Sequence, residues 1–364
     1  MRRKIYQELL QWKQRNGESA LLVQGARRVG KSYIVEAFAK AEYKSYILID
    51  FNLVDQQVKE MFEHDLVDLK TFFMKLTTYY GVKLYERDSL IIFDEVQLFP
   101  RARSAIKYLV ADGRYDYIET GSLISIRENI KDILIPSEED HVDMYPLDFE
   151  EFLWANGNDT MMDFIRDCYR RKAPLGQALH RKAMDLFRQY LIVGGMPQAV
   201  NAFVKHIDFD EVDRVKRRIL NLYRDDIRKH AKGYEMKVEA IYDEIPSQMK
   251  NQNQHFKLSS LKQGARFDEY KDAMFWLSDA MIVNHCYNAT EPTLGLNLNR
   301  DRTLLKCYMG DTGLLISHAF DENGIVTGEV YKKLLLDKLE VNMGMVMENM
   351  VAQMLTASGH KLYF

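Results

Sequence analysis

Two patterns of apolar spacing alternate through the first 150 residues. Ile5, Leu9, Leu10 and Trp12 recur at helical spacing and predict an amphipathic helix ending near Gly17. The short continuous run of residues 20–24 predicts a buried strand, and Ile34, Val35, Phe38 and Ala39 predict a helix behind it. The alternation goes on with a strand in residues 45–51, a helical stretch to about Tyr80, a strand in 89–94, a helix in 102–113 and a strand in 115–120. Strands separated by helices imply βαβ units and a parallel sheet, because parallel strands need crossover connections. From about Asp148 to His230 the spacing is helical throughout. A helix at 235–245, a short helix near Ser259 or Ser260, a helix at 267–280 and a strand in 281–288 follow. Helices followed by a β-ribbon predict a winged-helix region.

One loop in this pattern carries chemistry. Gly25, Ala26, Arg27, Arg28, Val29, Gly30, Lys31 and Ser32 fit G-x-x-x-x-G-K-[ST] at every fixed position, with a predicted strand before and a predicted helix after. Glycines let backbone N–H groups curl around phosphate oxygens, and the following helix aims its positive end at them. Lys31 is therefore expected to be a surface loop residue reaching the β- and γ-phosphates, and the Ser32 hydroxyl is expected to bind Mg²⁺. Tyr33 completes the nucleotide-binding segment. The run Leu90-Ile91-Ile92-Phe93 ends in Asp94 and Glu95. Asp94 is placed to hold the magnesium shell, and Glu95 to activate the attacking water as general base. Thr120, at the tip of the next strand, is the candidate sensor of the γ-phosphate, with Ser122 as the alternative. No N-K-x-D base-reading motif occurs, which favours ATP over GTP.

Charge is unevenly distributed. The whole chain, with Lys+Arg 50 and Asp+Glu 53, carries a net −3, so it is not a polycation built to coat nucleic acid. Residues 160–232 hold 16 Lys/Arg against 9 Asp/Glu, a local +7, whereas residues 233–300 hold 7 against 9. A basic helical lid beside a triphosphate would offer Arg214, Arg217, Arg218, Arg224 or Arg228 to the phosphates. The weakly acidic winged-helix region argues against duplex DNA as its partner, leaving a protein partner open. No apolar run approaches membrane-spanning length. Cys168, Cys286 and Cys307 are too far apart in sequence for a C-x-x-C pair. Buried reduced thiols and a cytoplasmic location are expected.

Several further motifs occur in a fixed order: Y-P-L-D-F-E-E-F (145–152), V-G-G-M-P-Q-A-V (193–200) and G-D-T-G-L-L (310–315), after G-A-R-R-V-G-K-S, I-I-F-D-E-V-Q and T-G-S-L. Together they resemble a family of prokaryotic AAA-type ATPases, related to the archaeal-type and signal-transduction ATPases, that carry a winged helix and a restriction-endonuclease-like C-terminal domain. The resemblance implies an α/β P-loop core (1–150), a helical lid (151–232), a winged-helix region (233–300) and the start of the nuclease-like domain (301–364). It also implies that Gly195 and Pro197 line the adenine side, and that hydrolysis takes an arginine finger from a neighbouring copy in a homo-oligomer. Candidates for the finger are Arg224, Arg228 and Arg127, with structural ion pairs to Asp225 and Asp226 as the competing reading of the first two. Relatives continue past H-K-L-Y-F with an Asp and a Glu-x-Lys. The domain is thus expected to be truncated here, Glu348 to be a helix-surface or capping acid without nuclease activity, and the strand ending at Phe364 to lack sheet partners. The implied function is Mg²⁺-dependent ATP hydrolysis driving a switch or motor. The alternative is a nucleotide-dependent protein- or DNA-binding module with little turnover.

Overall fold

The computed structural model describes residues 1–121, 137–251, 255–291, 295–296, 298–320 and 343–364. The candidates Ser122 and Arg127 lie outside the described residues. The chain divides into two compact units, Arg3–Met144 and Tyr145–Phe364, with Met1–Arg2 joining the second.

The first unit is an α/β sandwich around a five-stranded parallel sheet. Its strands are β1 (Ala20–Gly25), β2 (Ser45–Asp50), β3 (Ser89–Asp94), β4 (Asp116–Gly121) and β5 (Glu139–Met144). Their order across the sheet is β2-β3-β4-β1-β5. β3 is buried at every position, which is why its sequence reads as an apolar run rather than an alternation. Its odd and even residues serve opposite layers. Ile91 and Phe93 pack with Phe62, Phe72 and Ile106, while Leu90 and Ile92 pack with Leu9, Val35 and Phe38. Each such fully buried side chain contributes about 1.5–3 kcal/mol relative to exposure.

The fifth strand was not anticipated from sequence. Its residues, E-D-H-V-D-M, offer only Val142 and Met144 as apolar positions. Among the described residues it lies at the sheet edge, paired with β1 alone, and needs just one apolar face.

Parallel topology sets all five strand ends at one edge. The register pairs Val23 with Thr120 and Phe93 with Glu119. Since β4 lies between β1 and β3, the end of β4 stands between the loop after Gly25 and the acids after Phe93.

The second unit begins with five helices, Phe149–Ala155, Met161–Arg171, Gln177–Val193, Pro197–His206 and Phe209–His230. The first carries a reciprocal cap: Asp148 accepts from the Glu151 amide and Glu151 accepts from the Asp148 amide. Helix Glu235–Lys250, a 3₁₀ turn Leu258–Ser260 and helix Phe267–Asp279 come next. They precede the antiparallel pair β6 (Val283–Ala289) and β7 (Arg300–Met309). Helices Thr312–Ala319 and Met343–Ala357 and the short β8 (Leu362–Tyr363) complete the described unit. β8 corrects an expectation. It does have a sheet partner, pairing parallel with β6 through Cys286 and Leu362.

Three motifs that are far apart in sequence meet inside this unit. Asp311 accepts hydrogen bonds from the Gly195 amide at 2.6 Å and the Leu314 amide at 2.9 Å. The Leu147 amide donates to the Gly195 carbonyl at 2.7 Å. Gly194 and Gly313 touch backbone to backbone: a methyl group on Gly313 would stand 2.6 Å from the Gly194 Cα. Lys216 is fully buried beneath them and donates to the Ile192 and Gly313 carbonyls at 2.7 and 3.1 Å. Burial pushes its ammonium down to about 8, against the pull of Asp213 and Asp311.

Candidate functional site

The glycine loop is built from its neighbours. Gly25 lies beside β5, where a methyl group would sit 2.4 Å from the Met144 carbonyl oxygen. Gly30 takes the left-handed conformation, φ 99°, that a side chain resists, and starts helix Lys31–Glu42 without a side-chain cap. The positive end of that helix thus points into the loop, a geometry that suits an anion. Ala26 and Val29 are buried under the loop, while Arg27, Arg28 and Tyr33 are exposed. Arg3 holds the loop from below, donating to the Val29 carbonyl at 3.1 Å.

Lys31 is not the surface residue expected from sequence. It is 7% exposed, and its ammonium donates to the Gly25 carbonyl at 2.9 Å and the Ala26 carbonyl at 3.1 Å. The loop bends back over the first helical turn, so its carbonyls solvate the ammonium.

Asp94 is the junction of the site. Its Oδ1 accepts from the Ser32 hydroxyl at 2.7 Å and from the Thr120 hydroxyl. Thr120 in turn accepts from the Glu95 amide at 3.3 Å. Glu95 has φ 55°, so the chain turns sharply out of β3 into the 3₁₀ turn Val96–Leu98. The Gln97 side-chain amide donates to Glu95 Oε2. A helix hydroxyl, Ser32, against a strand-end carboxylate, Asp94, offers the hard oxygen donors that Mg²⁺ takes, and a glycine cradle beside them suits a polyphosphate.

Comparison with known proteins agrees with this geometry. Residues 17–153 match the model of the AAA domain, and residues 184–323 match that of a domain of unknown function, DUF8612. The first unit has the α/β fold of a P-loop ATPase. Among solved structures, the Walker-type ATPase Paby2304 of Pyrococcus abyssi is similar at 13% identity, with a TM-score of 0.50 over 87% of this chain and 95% of that one. The ORC1 protein of Aeropyrum pernix, solved in complex with DNA, aligns at 10% identity and a TM-score of 0.32 over 90% and 95%. No curated protein is significantly similar in sequence. The DUF8612 match runs through segments read from sequence as lid, winged helix and the start of the appended domain.

The other sequence candidates lie in the second unit. Gly195 is buried, and both its backbone groups are engaged, by Asp311 and Leu147. Pro197 is the first residue of helix Pro197–His206. Arg224 pairs with Asp243 at 3.2 Å and Arg228 with Glu239 at 2.8 Å. These partners are on the next helix, whereas sequence pointed to the adjacent Asp225 and Asp226; Asp225 does lie 3.9 Å from Arg228. Arg214 and Arg217 are likewise paired, with Glu211 and Asp213. Glu348 accepts from Lys306 and from the Tyr308 hydroxyl, each at 2.7 Å. No helix among the described residues is long and apolar enough to cross a membrane.

Two features of the AAA domain escaped the sequence reading. One is Gln97, visible in D-E-V-Q but given no role. The other is a buried acid pair. Glu119 and Glu139 lie together in the sheet, and Arg103 donates to Glu139 at 2.8 Å. With two carboxyls beside one guanidinium in a buried cluster, one carboxyl is driven toward its protonated form. Burial, then the Glu139 charge, push the Glu119 carboxyl well above the usual range. Burial opposes the charge on Glu139 as well, but the hydrogen bond from Glu119 and the Arg103 contacts outweigh it. The available signal was Glu119, a second acid after Asp116 in the strand Y-D-Y-I-E-T.

This cluster has a pH consequence. An acid whose folded pKa is raised gives stability that is present at low pH and is lost as pH rises through the folded value. Between the ordinary unfolded value and the raised folded one, each pH unit costs about 1.4 kcal/mol, and above the folded value the loss is complete. Glu119→Gln keeps the shape and removes the titration. Thermal melts from pH 5 to 9 should show the wild type losing stability relative to this variant as pH rises. Parallel curves would refute the shared proton.

Proposed function

We propose that the chain is a Mg²⁺-dependent ATPase in which hydrolysis drives a conformational switch. The observation that carries this reading is the single oxygen of Asp94 shared by Ser32 of the glycine loop and Thr120 of β4. It joins the phosphate cradle to the carboxylates within one rigid sheet edge.

In this reading the phosphates lie against the amides of residues 25–33, and Lys31 exchanges its two carbonyl partners for phosphate oxygens. Ser32 and Asp94 hold magnesium, which when bound supplies positive charge to the phosphate oxygens. Glu95 takes the proton of the attacking water. An arginine from a second copy, with Arg224, Arg228 and Arg127 as the candidates, completes the site. The ion pairs of Arg224 and Arg228 must then open, which for the exposed Arg228 costs about 0–1 kcal/mol.

The test is phosphate release from ATP, with magnesium and with excess chelator, across a dilution series. Turnover that requires magnesium, with a rate per subunit that rises with concentration, is expected. Release insensitive to the chelator would sink the reading.

A winged-helix reading of residues 233–300 is supported by the order of helix, turn, helix and antiparallel pair. We propose that it meets a protein rather than DNA. Helix Phe267–Asp279 carries Asp268, Glu269, Asp272 and Asp279 against Lys271. Such a helix repels phosphates, and phosphate contacts supply most non-specific DNA affinity. No mobility shift with duplex DNA is expected at physiological salt; a salt-dependent shift would overturn this.

A further inference from the structure

We propose that Gln97 is the positioning residue that aims Glu95, acting together with Thr120. The proposal rests on the reading of Glu95 as general base.

A glutamate on a sharp turn has several rotamers, and a base left free among them spends little time facing its water. Here Glu95 is held at both ends. Its backbone amide donates to Thr120 Oγ1 at 3.3 Å, which fixes the left-handed turn. Its carboxylate accepts from the Gln97 amide. The turn explains why a residue only two positions away can reach it. With φ 55° at Glu95, the chain reverses into Val96–Leu98, and the Leu98 amide closes on the Glu95 carbonyl at 3.0 Å.

The chemistry of the donor suits the task. An amide N–H binds one carboxylate oxygen, Oε2, and leaves Oε1 available for water. Being neutral and without an acidic proton, it neither quenches the base nor competes for the proton it takes. Gln97 is itself 6% exposed, next to the fully buried Val96, so its own side chain is held by packing.

Thr120 takes a new meaning from the same contacts. A hydroxyl has one hydrogen. That of Thr120 goes to Asp94, while its lone pair receives the Glu95 amide. With this arrangement it has no proton to give a γ-phosphate. Its part is to tie Asp94 and Glu95 to β4, a positioning role in place of the sensor role expected from sequence.

The experiment compares wild type, Gln97→Leu, Glu95→Gln and the double variant, under single-turnover conditions with Mg-ATP. Leucine fills nearly the same buried volume without a donor. We expect Gln97→Leu to lower kcat on the order of 10–100-fold, with KM for ATP and the Mg-ATP-induced rise in Tm nearly unchanged. The double variant should be no slower than Glu95→Gln alone, because Gln97 acts only through that carboxylate. If the leucine variant does not fold, Gln97→Glu, which keeps the size but sets two carboxylates together, should give the same loss of kcat. Wild-type kcat in the folded Gln97 variant would overturn the proposal, as would an equal loss of rate in the Glu95→Gln background. Wild-type turnover by Glu95→Gln would instead overturn the base reading beneath it, so the two failures are separable.

Discussion

Lys31→Ala is expected to abolish the thermal stabilisation that saturating Mg-ATP gives the wild-type protein. A ligand at a hundredfold excess over its dissociation constant stabilises the folded state by about 2.7 kcal/mol. For a unit of this size that is several degrees in Tm. The Lys31 ammonium already lies in the loop, between the Gly25 and Ala26 carbonyls, so it needs only a side-chain movement to meet phosphate. Alanine removes a buried long cation whose ammonium reaches into the cradle. Because Lys31 is 7% exposed and hydrogen-bonded, the variant should also melt somewhat lower without nucleotide. The diagnostic quantity is therefore the shift on adding Mg-ATP. Differential scanning fluorimetry at several ATP concentrations measures it, and an equal shift in the variant would remove the loop from the nucleotide site.

Glu95→Gln should bind Mg-ATP as the wild type does and turn it over on the order of 10²–10⁴-fold more slowly, the usual contribution of a positioned base. Glutamine keeps the length and the hydrogen-bonding outline of the side chain, so the left-handed turn survives. Asp94→Asn should behave differently. It removes charge from the oxygen shared by Ser32 and Thr120, so the loss appears as weaker magnesium dependence of binding. Rapid-quench turnover together with magnesium titration of nucleotide binding separates the two effects. Wild-type rates in both variants would mean that the acids at the end of β3 are not the catalytic strand end.

The parts of this site that were legible in sequence are those whose physics is local. A strand buried on both faces must be apolar at every position, so Leu90–Phe93 announced itself, and the acids after it stood at a strand end. The glycine loop is legible because phosphate contact restricts residue types at four fixed positions within eight. β5 was missed because an edge strand with one buried face needs only Val142 and Met144 to be apolar. Lys31 was taken for a surface residue because nothing in the spacing shows that the loop folds back over it. The Glu119–Glu139–Arg103 cluster brings together residues up to 36 positions apart, and only the register of β4 and β5 beside helix Pro100–Asp112 unites them. Gly194, Gly195 and Asp311 stood out as motifs, but their mutual contact depends on packing that no local pattern encodes.

That contact bears on how the protein can be taken apart in the laboratory. A fragment ending near residue 232, at the sequence-derived edge of the lid, would keep Lys216 and the Gly195 amide while discarding the Gly313 carbonyl and the Asp311 carboxylate. Losing one partner of a buried charge costs about 3–5 kcal/mol, a large share of what holds a domain folded. Such a piece should express as insoluble material or be clipped back by proteases into the first unit. Limited proteolysis of the intact chain should spare the two glycine turns, and soluble subfragments should begin or end near residues 144–145.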